Sequence, residues 1–236
     1  MSETAIHRRN EVPWRPKSLH WLILFFRSTI GKKVVMALTG IIGIGFILLH
    51  VSLNLLVYGG PATVNNADRF LKSTGGWLWL ARAILLGAVV LHIVTAYQLS
   101  RISLASRPVN YQQWEPVGSN WASRTMRWTG LLLALFIALH VLHLATGTLH
   151  PHFVQDDVYH NVVIAFRVWY VSAIYIVAMC LLALHVYHGA WSMFQSLGFD
   201  HPKYAGLTRP AATLITIFVV LGFISIPVGV LFGAIS

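Results

Sequence analysis

Five long apolar stretches without a single acidic residue constrain this chain more than any other feature of its sequence. In a helix that rises about 1.5 Å per residue, about 20 residues cross a hydrocarbon core about 30 Å thick. Lipid offers no water to backbone polar groups, so such stretches are expected to be helical. The stretches are residues 34–58, 77–100, 128–149, 168–194 and 211–235. The sequence therefore predicts an all-α membrane protein with five transmembrane helices.

A shorter apolar stretch, residues 19–26, precedes the first long one and predicts a helix lying on the membrane surface. Of the 17 Lys and Arg residues, all but four lie on the N-terminal side of the predicted membrane. The four exceptions are Arg69, Lys72, Arg82 and Arg167. Basic residues favour the cytoplasmic side, so we expect residues 1–33 to be a cytoplasmic N-terminal segment and residues 34–236 to be the five-helix membrane domain.

The composition excludes several classes of partner and site. The formal net charge of +10 at pH 7 would suggest nucleic acid in a soluble protein. Here the basic residues flank membrane spans, so lipid headgroups and acidic protein surfaces are the expected partners and nucleic acid is not. The single cysteine, Cys180, excludes a disulfide framework, a thiolate zinc site and an iron–sulfur cluster held by this chain. It also excludes covalent attachment of haem through a Cys-x-x-Cys-His motif.

A short pattern recurs in the first and third stretches. Thr39-Gly40 is followed by His50 ten residues after the glycine, and Thr129-Gly130 is followed by His140 at the same distance. Both stretches run outward from the N-terminal side, so the two histidines are expected at the same depth. A glycine beside a small hydroxyl residue allows another helix or a flat ligand to approach closely.

Six of the 12 histidines lie inside the predicted spans. They are His50, His92, His140, His143, His185 and His188. Ionisable side chains inside lipid are costly, so each is a candidate functional residue. Counting from the ends of the stretches places His50 and His140 at one level near the outer leaflet. His92 and His185 share a second level near the inner leaflet.

Two neutral imidazoles on facing helices at one depth are the arrangement that a bis-histidine haem needs. Zinc and copper are the competing metals, but a closed zinc site needs four protein ligands at one level, which neither pair offers. The glycines of the stretches can make room for a flat porphyrin. The sequence therefore predicts two haem sites within a four-helix bundle, one at each level, with a fifth helix beside it.

The choice of ligand stays open on two helices, because His143 and His188 lie three residues after His140 and His185. At about 100° per residue, the second imidazole lies about 60° around the helix from the first, so each helix can present either one. The Thr-Gly register favours His140 over His143. The other histidine of each couple is expected to hold a haem propionate or to bond to a neighbouring helix.

These features resemble the cytochrome b membrane anchor of succinate dehydrogenase and fumarate reductase, in its single-subunit, five-helix, two-haem form. The resemblance covers nearly the whole chain and rests on the Thr-Gly-x9-His pattern ending at His50 and at His140. It also rests on the run His185-Val-Tyr-His188-Gly189-Ala-Trp191-Ser192, in which His185 precedes the glycine by four residues as the family's ligand does. The resemblance implies that the haem irons are bound by His50 with His140 on the outer side and by His92 with His185 on the inner side.

The resemblance further implies two b-type haems as cofactors and menaquinone or ubiquinone as the substrate in the membrane. The implied partners are an iron–sulfur subunit and a flavoprotein subunit on the cytoplasmic side of a bacterial cytoplasmic membrane. This chain would pass electrons between the iron–sulfur subunit and quinone. Succinate chemistry would take place on the flavoprotein, so no catalytic residue is expected in this chain.

Two other functions are compatible with histidines in a small helical bundle. A haem b anchor of another dehydrogenase, of the hydrogenase or formate dehydrogenase type, would differ in helix count and ligand register. A non-redox transporter or assembly factor would usually contain an intramembrane acid, a broken helix or inverted repeats. The spans contain no acidic residue, and their repeated Thr-Gly pattern is parallel. The missing acid also argues against proton transfer through the membrane coupled to haem reduction.

Two further groups of polar residues can be interpreted either as ordinary structural residues or as functional ones. Ser28, Lys32 and Lys33 lie near the inner end of the first span, where anchoring is favoured over contact with quinone. The predicted outer loop carries a second group, for which a solvated loop is favoured over a metal site or a proton relay. That group comprises His150, His152, Asp156, Asp157 and His160.

Overall fold

The computed structural model describes residues 18–106, 121–199 and 202–236, and within these ranges it contains helices and no strand. The helices are α1 (Ser18–Arg27), α2 (Thr29–Asn54), α3 (Pro61–Ser73), α4 (Gly76–Ala105), α5 (Trp121–His140), α6 (Val158–Arg167), α7 (Trp169–Ser196) and α8 (Pro202–Leu231). A 3-10 turn (Leu55–Gly59) extends α2, and a π-helical turn (Val141–Ala145) extends α5. The predicted all-α fold class is confirmed.

Five helical segments are long and apolar enough to cross a membrane, which confirms the predicted number of spans. They are Thr29–Gly59, Gly76–Ala105, Trp121–Ala145, Trp169–Ser196 and Gly206–Leu231. The third ends at Ala145 rather than at the predicted residue 149, because the chain turns at Gly147, whose φ is +71°. The first begins at Thr29, inside the predicted N-terminal segment, and residues 1–17 of that segment lie outside the described residues.

Helices α2, α4, α5 and α7 form an antiparallel bundle in which α2 and α7 are central. The two central helices pack on each other, α4 packs on α2, and α5 packs on α7. Helix α8 packs against both central helices, and at Gly222 an added Cβ would lie 2.6 Å from Cγ2 of Val51. This arrangement matches the predicted four-helix bundle with a fifth helix beside it.

Tryptophans mark both ends of the spans, as expected of an interfacial aromatic belt. All of them are at least two-thirds exposed, which suits side chains that lie at the level of lipid headgroups. They are Trp77, Trp79, Trp121, Trp128 and Trp169. Arg82, the single basic residue well inside a predicted span, places its guanidinium 5.0 Å from the centre of the Trp79 ring. This contact draws the charge toward the nearby helix end, as snorkelling requires.

The segments on the side opposite the start of α2 form a cap, which we call the outer cap. It consists of the turn Leu55–Gly59, α3, residues 146–157, α6 and residues 232–236. The Asn65 amide donates to Asp157 at 2.9 Å, and its oxygen accepts from the backbone N–H of Tyr159 at 3.1 Å. The Tyr159 hydroxyl donates to the carbonyl of Ser236 at 3.1 Å. These bonds join three segments that lie far apart in the sequence.

The outer cap also has an apolar centre, which explains why α6 folds. One side of α6 buries Val162, Val163 and Phe166 against Tyr175 of α7 and Ile226 of α8. Neither α3 nor α6 was predicted, although each has a local start signal. Pro61 occupies the first turn of α3, and Asp157 caps α6.

The cap at Asp157 gives a prediction about stability. Its carboxylate accepts from the backbone N–H of His160 at 3.0 Å as well as from Asn65. These two bonds hold the pKa of Asp157 below its usual value. We expect Asp157→Ala to cost about 1 kcal/mol of α6 stability, measured as lost hydrogen-exchange protection of residues 158–167 at neutral pH.

The pH dependence supplies the control. Because the pKa of Asp157 is lower in the folded state than in the unfolded state, its contribution is complete above about pH 4 and is lost as the pH falls through the folded value. Asp157→Asn keeps an acceptor oxygen and should retain much of the protection while losing this response to acid. Equal protection factors in the wild type and the Asp157→Ala variant would contradict the prediction.

Candidate functional site

The outer histidine pair comes together between α2 and α5. The ring centroids of His50 and His140 lie 5.8 Å apart, and the ring planes are inclined by 75°. Both rings are half-buried. Phe46 stacks on His50 at 5.3 Å, and Phe136 stacks on His140 at 5.9 Å. The pair is therefore held in an apolar, aromatic setting.

The inner pair comes together between α4 and α7. The ring centroids of His92 and His185 lie 6.2 Å apart, with an angle of 61° between the planes. Both rings are again half-buried. All four histidines named from the sequence thus meet two by two, in the pairs that their depths predicted.

The two pairs lie at two levels along the bundle. On α2, Thr39 contacts His92 of the inner pair, and His50 of the outer pair follows eleven residues later. On α5, Thr129 contacts His185, and His140 follows at the same interval. At about 1.5 Å per residue, the two levels are separated by about 16 Å along the helix axes. The inner pair is the one nearer to the start of α2.

Each pair bridges two helices whose backbones do not pack closely along their lengths in the described part of the chain. The close helix pairs of the bundle are α2 with α4, α5 with α7, and α2 with α7. The histidines instead face each other across α2 and α5, and across α4 and α7. The two histidine pairs therefore join helices that are not closely packed on each other in the described part of the chain.

The centroid distances of both pairs fit a metal ion held between the two rings. Two imidazoles that each place a nitrogen about 2 Å from one ion have ring centroids about 6 Å apart. The described residues contain no group of three or more His, Cys, Asp or Glu that could hold a metal ion. A closed zinc site is therefore not formed by them, whereas a haem iron, which takes four ligands from its own macrocycle, needs only two.

The buried Nδ1 atom of His140 has no hydrogen-bond partner among the residues that the structure describes. An unpaired buried polar atom is costly in a residue that serves only for helix packing. This favours a ligand-binding role for the ring.

The recurring Thr-Gly pattern faces the inner pair. An added Cβ at Gly40 would lie 3.8 Å from Cε1 of His92, and one at Gly130 would lie 3.5 Å from Cε1 of His185. The expected close approach at these glycines is therefore present. The sequence pattern associated each Thr-Gly with a histidine on the same helix, whereas the structure shows that it contacts a histidine from the neighbouring helix.

His143 does not join the outer pair. It lies in the π-helical turn after α5, is buried, and bonds through Nδ1 to the hydroxyl of Tyr175 at 3.0 Å. Its ring stacks on His150, with centroids 5.1 Å apart and planes 21° from parallel. His143 is thus tied to a neighbouring helix, one of the two roles expected for it, and His140 faces His50.

His188 also lies outside the inner pair. Its Nδ1 atom is buried and finds no hydrogen-bond partner within the described part of the chain, and its ring lies 6.1 Å from Trp191. The guanidinium of Arg209 lies 4.7 Å from the centre of the same indole. A role for His188 in holding a haem propionate stays a prediction. The nearby positive charge of Arg209 would favour a negatively charged propionate there.

Ser28, Lys32 and Lys33 have structural surroundings. The Ser28 hydroxyl caps α2 by accepting from the backbone N–H of Gly31 at 2.9 Å. Lys32 is buried and donates to the carbonyls of Phe26 and Arg27, each at 2.9 Å, which closes the end of α1. Lys33 is exposed. The anchoring interpretation accounts for these contacts.

The predicted solvated loop is only partly solvated. His152 and Asp156 are exposed, and Asp156 pairs with Lys72 at 2.6 Å. His150, by contrast, is 5% exposed, and its Nε2 lies 3.0 Å from the carbonyl oxygen of Asn161. The expectation of a solvated loop was therefore wrong for His150, which is buried within the outer cap.

The sequence also matches a family model. The model described as succinate dehydrogenase/fumarate reductase transmembrane subunit matches residues 105–224, just over half of the chain. The chain belongs to this family. The match includes α5, α7 and most of α8, and with them one histidine of each pair, His140 and His185. No curated protein and no solved structure matches the chain significantly.

Family membership fixes the general role of the chain. It is a multi-pass membrane subunit of succinate dehydrogenase or fumarate reductase complexes, and the catalytic subunits of such complexes are its partners. Membership favours this role over the anchor of another dehydrogenase and over a transporter. The matched region supplies α5 and α7, while the partner histidines His50 and His92 come from α2 and α4.

Proposed function

We propose that this subunit is a di-haem cytochrome b anchor that passes electrons between an iron–sulfur subunit and a membrane quinone. The observation that carries the proposal is the meeting of four intramembrane histidines in two pairs, with centroid distances of 5.8 and 6.2 Å, at two depths. Neither member of a pair needs a further protein ligand if the metal is a haem iron.

Haem bound at each pair supplies one-electron oxidation and reduction of its iron. The chain would hold each haem through the imidazole nitrogens of one pair, keeps the two sites about 16 Å apart along the helices and surrounds them with apolar side chains. At the outer pair these include Phe46, Phe136 and Phe223, whose rings all lie within 6 Å of a histidine ring. Such surroundings limit water and help to determine the reduction potential.

The proposed docking side for the iron–sulfur and flavoprotein subunits is the N-terminal side, which we assign to the cytoplasm of a bacterium. Exposed basic residues of the described chain support this assignment, because they suit an acidic partner surface and follow the charge bias of cytoplasmic loops. They include Arg27, Lys33, Arg101, Arg127 and Lys203. The inner pair lies nearer to this side, so His92 and His185 would hold the haem that is nearer to the iron–sulfur subunit.

The proposal predicts two b-type haems per purified chain. A pyridine haemochrome assay counts them, and a reduced-minus-oxidised spectrum shows whether both are reducible. Purification of the complex with its partners then allows succinate-dependent reduction of menaquinone or ubiquinone to be tested. The isolated chain, which contains no succinate site, serves as the control and should show no such activity. A chain that binds no haem would end the proposal.

A further inference from the structure

Two intramembrane threonine hydroxyls contact the inner histidine pair. Oγ1 of Thr39 lies 3.1 Å from Nδ1 of His92, and Oγ1 of Thr129 lies 3.4 Å from Nδ1 of His185. Both threonines are buried, with 8% and 2% of their surface exposed. The same contact therefore occurs twice, once in each half of the bundle.

The number of available protons favours one direction for these contacts. A threonine hydroxyl has one proton to donate. Oγ1 of Thr39 lies 2.8 Å from the carbonyl oxygen of Val35, and Oγ1 of Thr129 lies 3.2 Å from that of Met126, each in the threonine's own helix. With the proton given to that carbonyl, a lone pair of the hydroxyl faces the imidazole. A neutral imidazole can donate to this hydroxyl oxygen only if Nδ1 carries its proton. The other ring nitrogen, Nε2, then keeps its lone pair free.

The outer pair has no equivalent support. Nδ1 of His50 lies 3.2 Å from the amide nitrogen of Asn54, which also donates to the carbonyl of His50 at 2.7 Å. Nδ1 of His140 is buried without a partner. Hydroxyl acceptors at Nδ1 thus distinguish the inner pair from the outer one.

We propose that Thr39 and Thr129 are positioning residues for the inner haem: each accepts a hydrogen bond from Nδ1–H of the facing histidine, fixing its tautomer and aiming Nε2 at the iron. This inference rests on the proposed function. Metal-bound histidines commonly donate a hydrogen bond from their second ring nitrogen to an acceptor. This hydrogen bond orients the ring and strengthens the bond to the metal. The inference also accounts for the threonine in the recurring Thr-Gly pattern, since the adjacent glycine lies against Cε1 of the same ring.

Replacement of either hydroxyl by a methyl group tests the inference. Thr39→Val and Thr129→Val keep the shape of the side chain and remove the acceptor. The purified chain is titrated by redox potentiometry, and ferric low-spin signals are recorded by electron paramagnetic resonance, which responds to the orientation of the axial rings. We expect the midpoint potential of the inner haem to rise, because a weaker donor stabilises ferric iron less, while the outer haem stays unchanged.

Thr95→Val is the matched control. Thr95 is fully buried in α4, one turn beyond His92, and its hydroxyl donates to the carbonyl of Leu91. Its removal should leave both haems as in the wild type. Thr39→Ser, which restores the hydroxyl, should restore the wild-type potential.

The outcomes separate this inference from the proposed function. Unchanged potentials and spectra in both valine variants would overturn the inference, as would an equal shift in Thr95→Val. If a valine variant loses the inner haem, the serine variant decides: a wild-type inner haem supports the inference, and the same loss overturns it. Retention of the outer haem shows that the variant is folded. A wild-type chain without haem would instead refute the proposed function itself.

Discussion

Replacement of His140 by Ala is expected to halve the haem content of the purified chain, from two haems to one. His140 is the partner of His50 across α2 and α5, and the described residues place no third histidine ring against His50. Without His140, only His50 would remain to hold a haem at the outer level, and the apolar side chains around it offer no replacement ligand. The pyridine haemochrome assay measures the ratio of haem to protein.

The same experiment distinguishes the two levels. His50→Ala should remove the same haem as His140→Ala, and the two changes combined should cost no more than either alone. His92→Ala and His185→Ala should instead remove the inner haem and spare the outer one. Redox potentiometry identifies which haem is left, because each level has its own surroundings.

His143 and His188 provide the matched controls, since each lies three residues after a proposed ligand. His143→Ala removes the bond to Tyr175, and we expect it to cost about 1 kcal/mol of stability while both haems remain. A variant of His143 or His188 that loses a haem, while the corresponding change at His140 or His185 retains both, would show that the other histidine of the couple is the ligand.

Gly147→Ala is expected to disrupt the outer cap. Gly147 has a φ of +71°, and an added Cβ would lie 2.2 Å from the ring of Phe153. The left-handed conformation costs a non-glycine residue about 1–2 kcal/mol, and the clash adds to it. Phe153 contacts His150, which in turn stacks on His143. We therefore expect a lower unfolding temperature and a loss of hydrogen-exchange protection over residues 146–157.

Gly75→Ala separates the two causes of this effect. Gly75 also has a positive φ, +56°, but an added Cβ there meets nothing within 4 Å. It should show a conformational cost without a clash, and it should leave the hydrogen-exchange protection of residues 146–157 unchanged. A Gly147→Ala variant that keeps this protection would mean that the contact with Phe153 contributes nothing to the stability of the cap.

The spans and the two histidine levels could be predicted from the sequence because both depend on local properties. Hydrophobicity and length define a span, and the number of residues between a histidine and the end of its span defines its depth. Since α2 and α5 run one way and α4 and α7 the other, matched depths imply matched levels. The positions of His50, His92, His140 and His185 follow from this counting.

The outer cap could not be predicted in this way, because its polar residues are ordered by contacts between distant segments. Asn65 joins α3 to Asp157, and His150 is buried by Asn161 and His143. None of these contacts is visible in the local pattern. The contact of Thr39 with His92 was hidden for a related reason: the Thr-Gly pattern indicates a close approach, but only the packing of α4 against α2 shows which side chain makes it.

The spacing between the two histidine levels has an electrical consequence. A separation of about 16 Å is about half of a hydrocarbon core about 30 Å thick. Moving a unit charge through the whole core involves about 2.3 kcal/mol per 100 mV of membrane voltage, so half that depth corresponds to about 1.2 kcal/mol. With haem held at both levels and the start of α2 on the cytoplasmic side, as proposed, the field of a cell whose interior is negative would drive an electron from the inner level to the outer one and oppose its return.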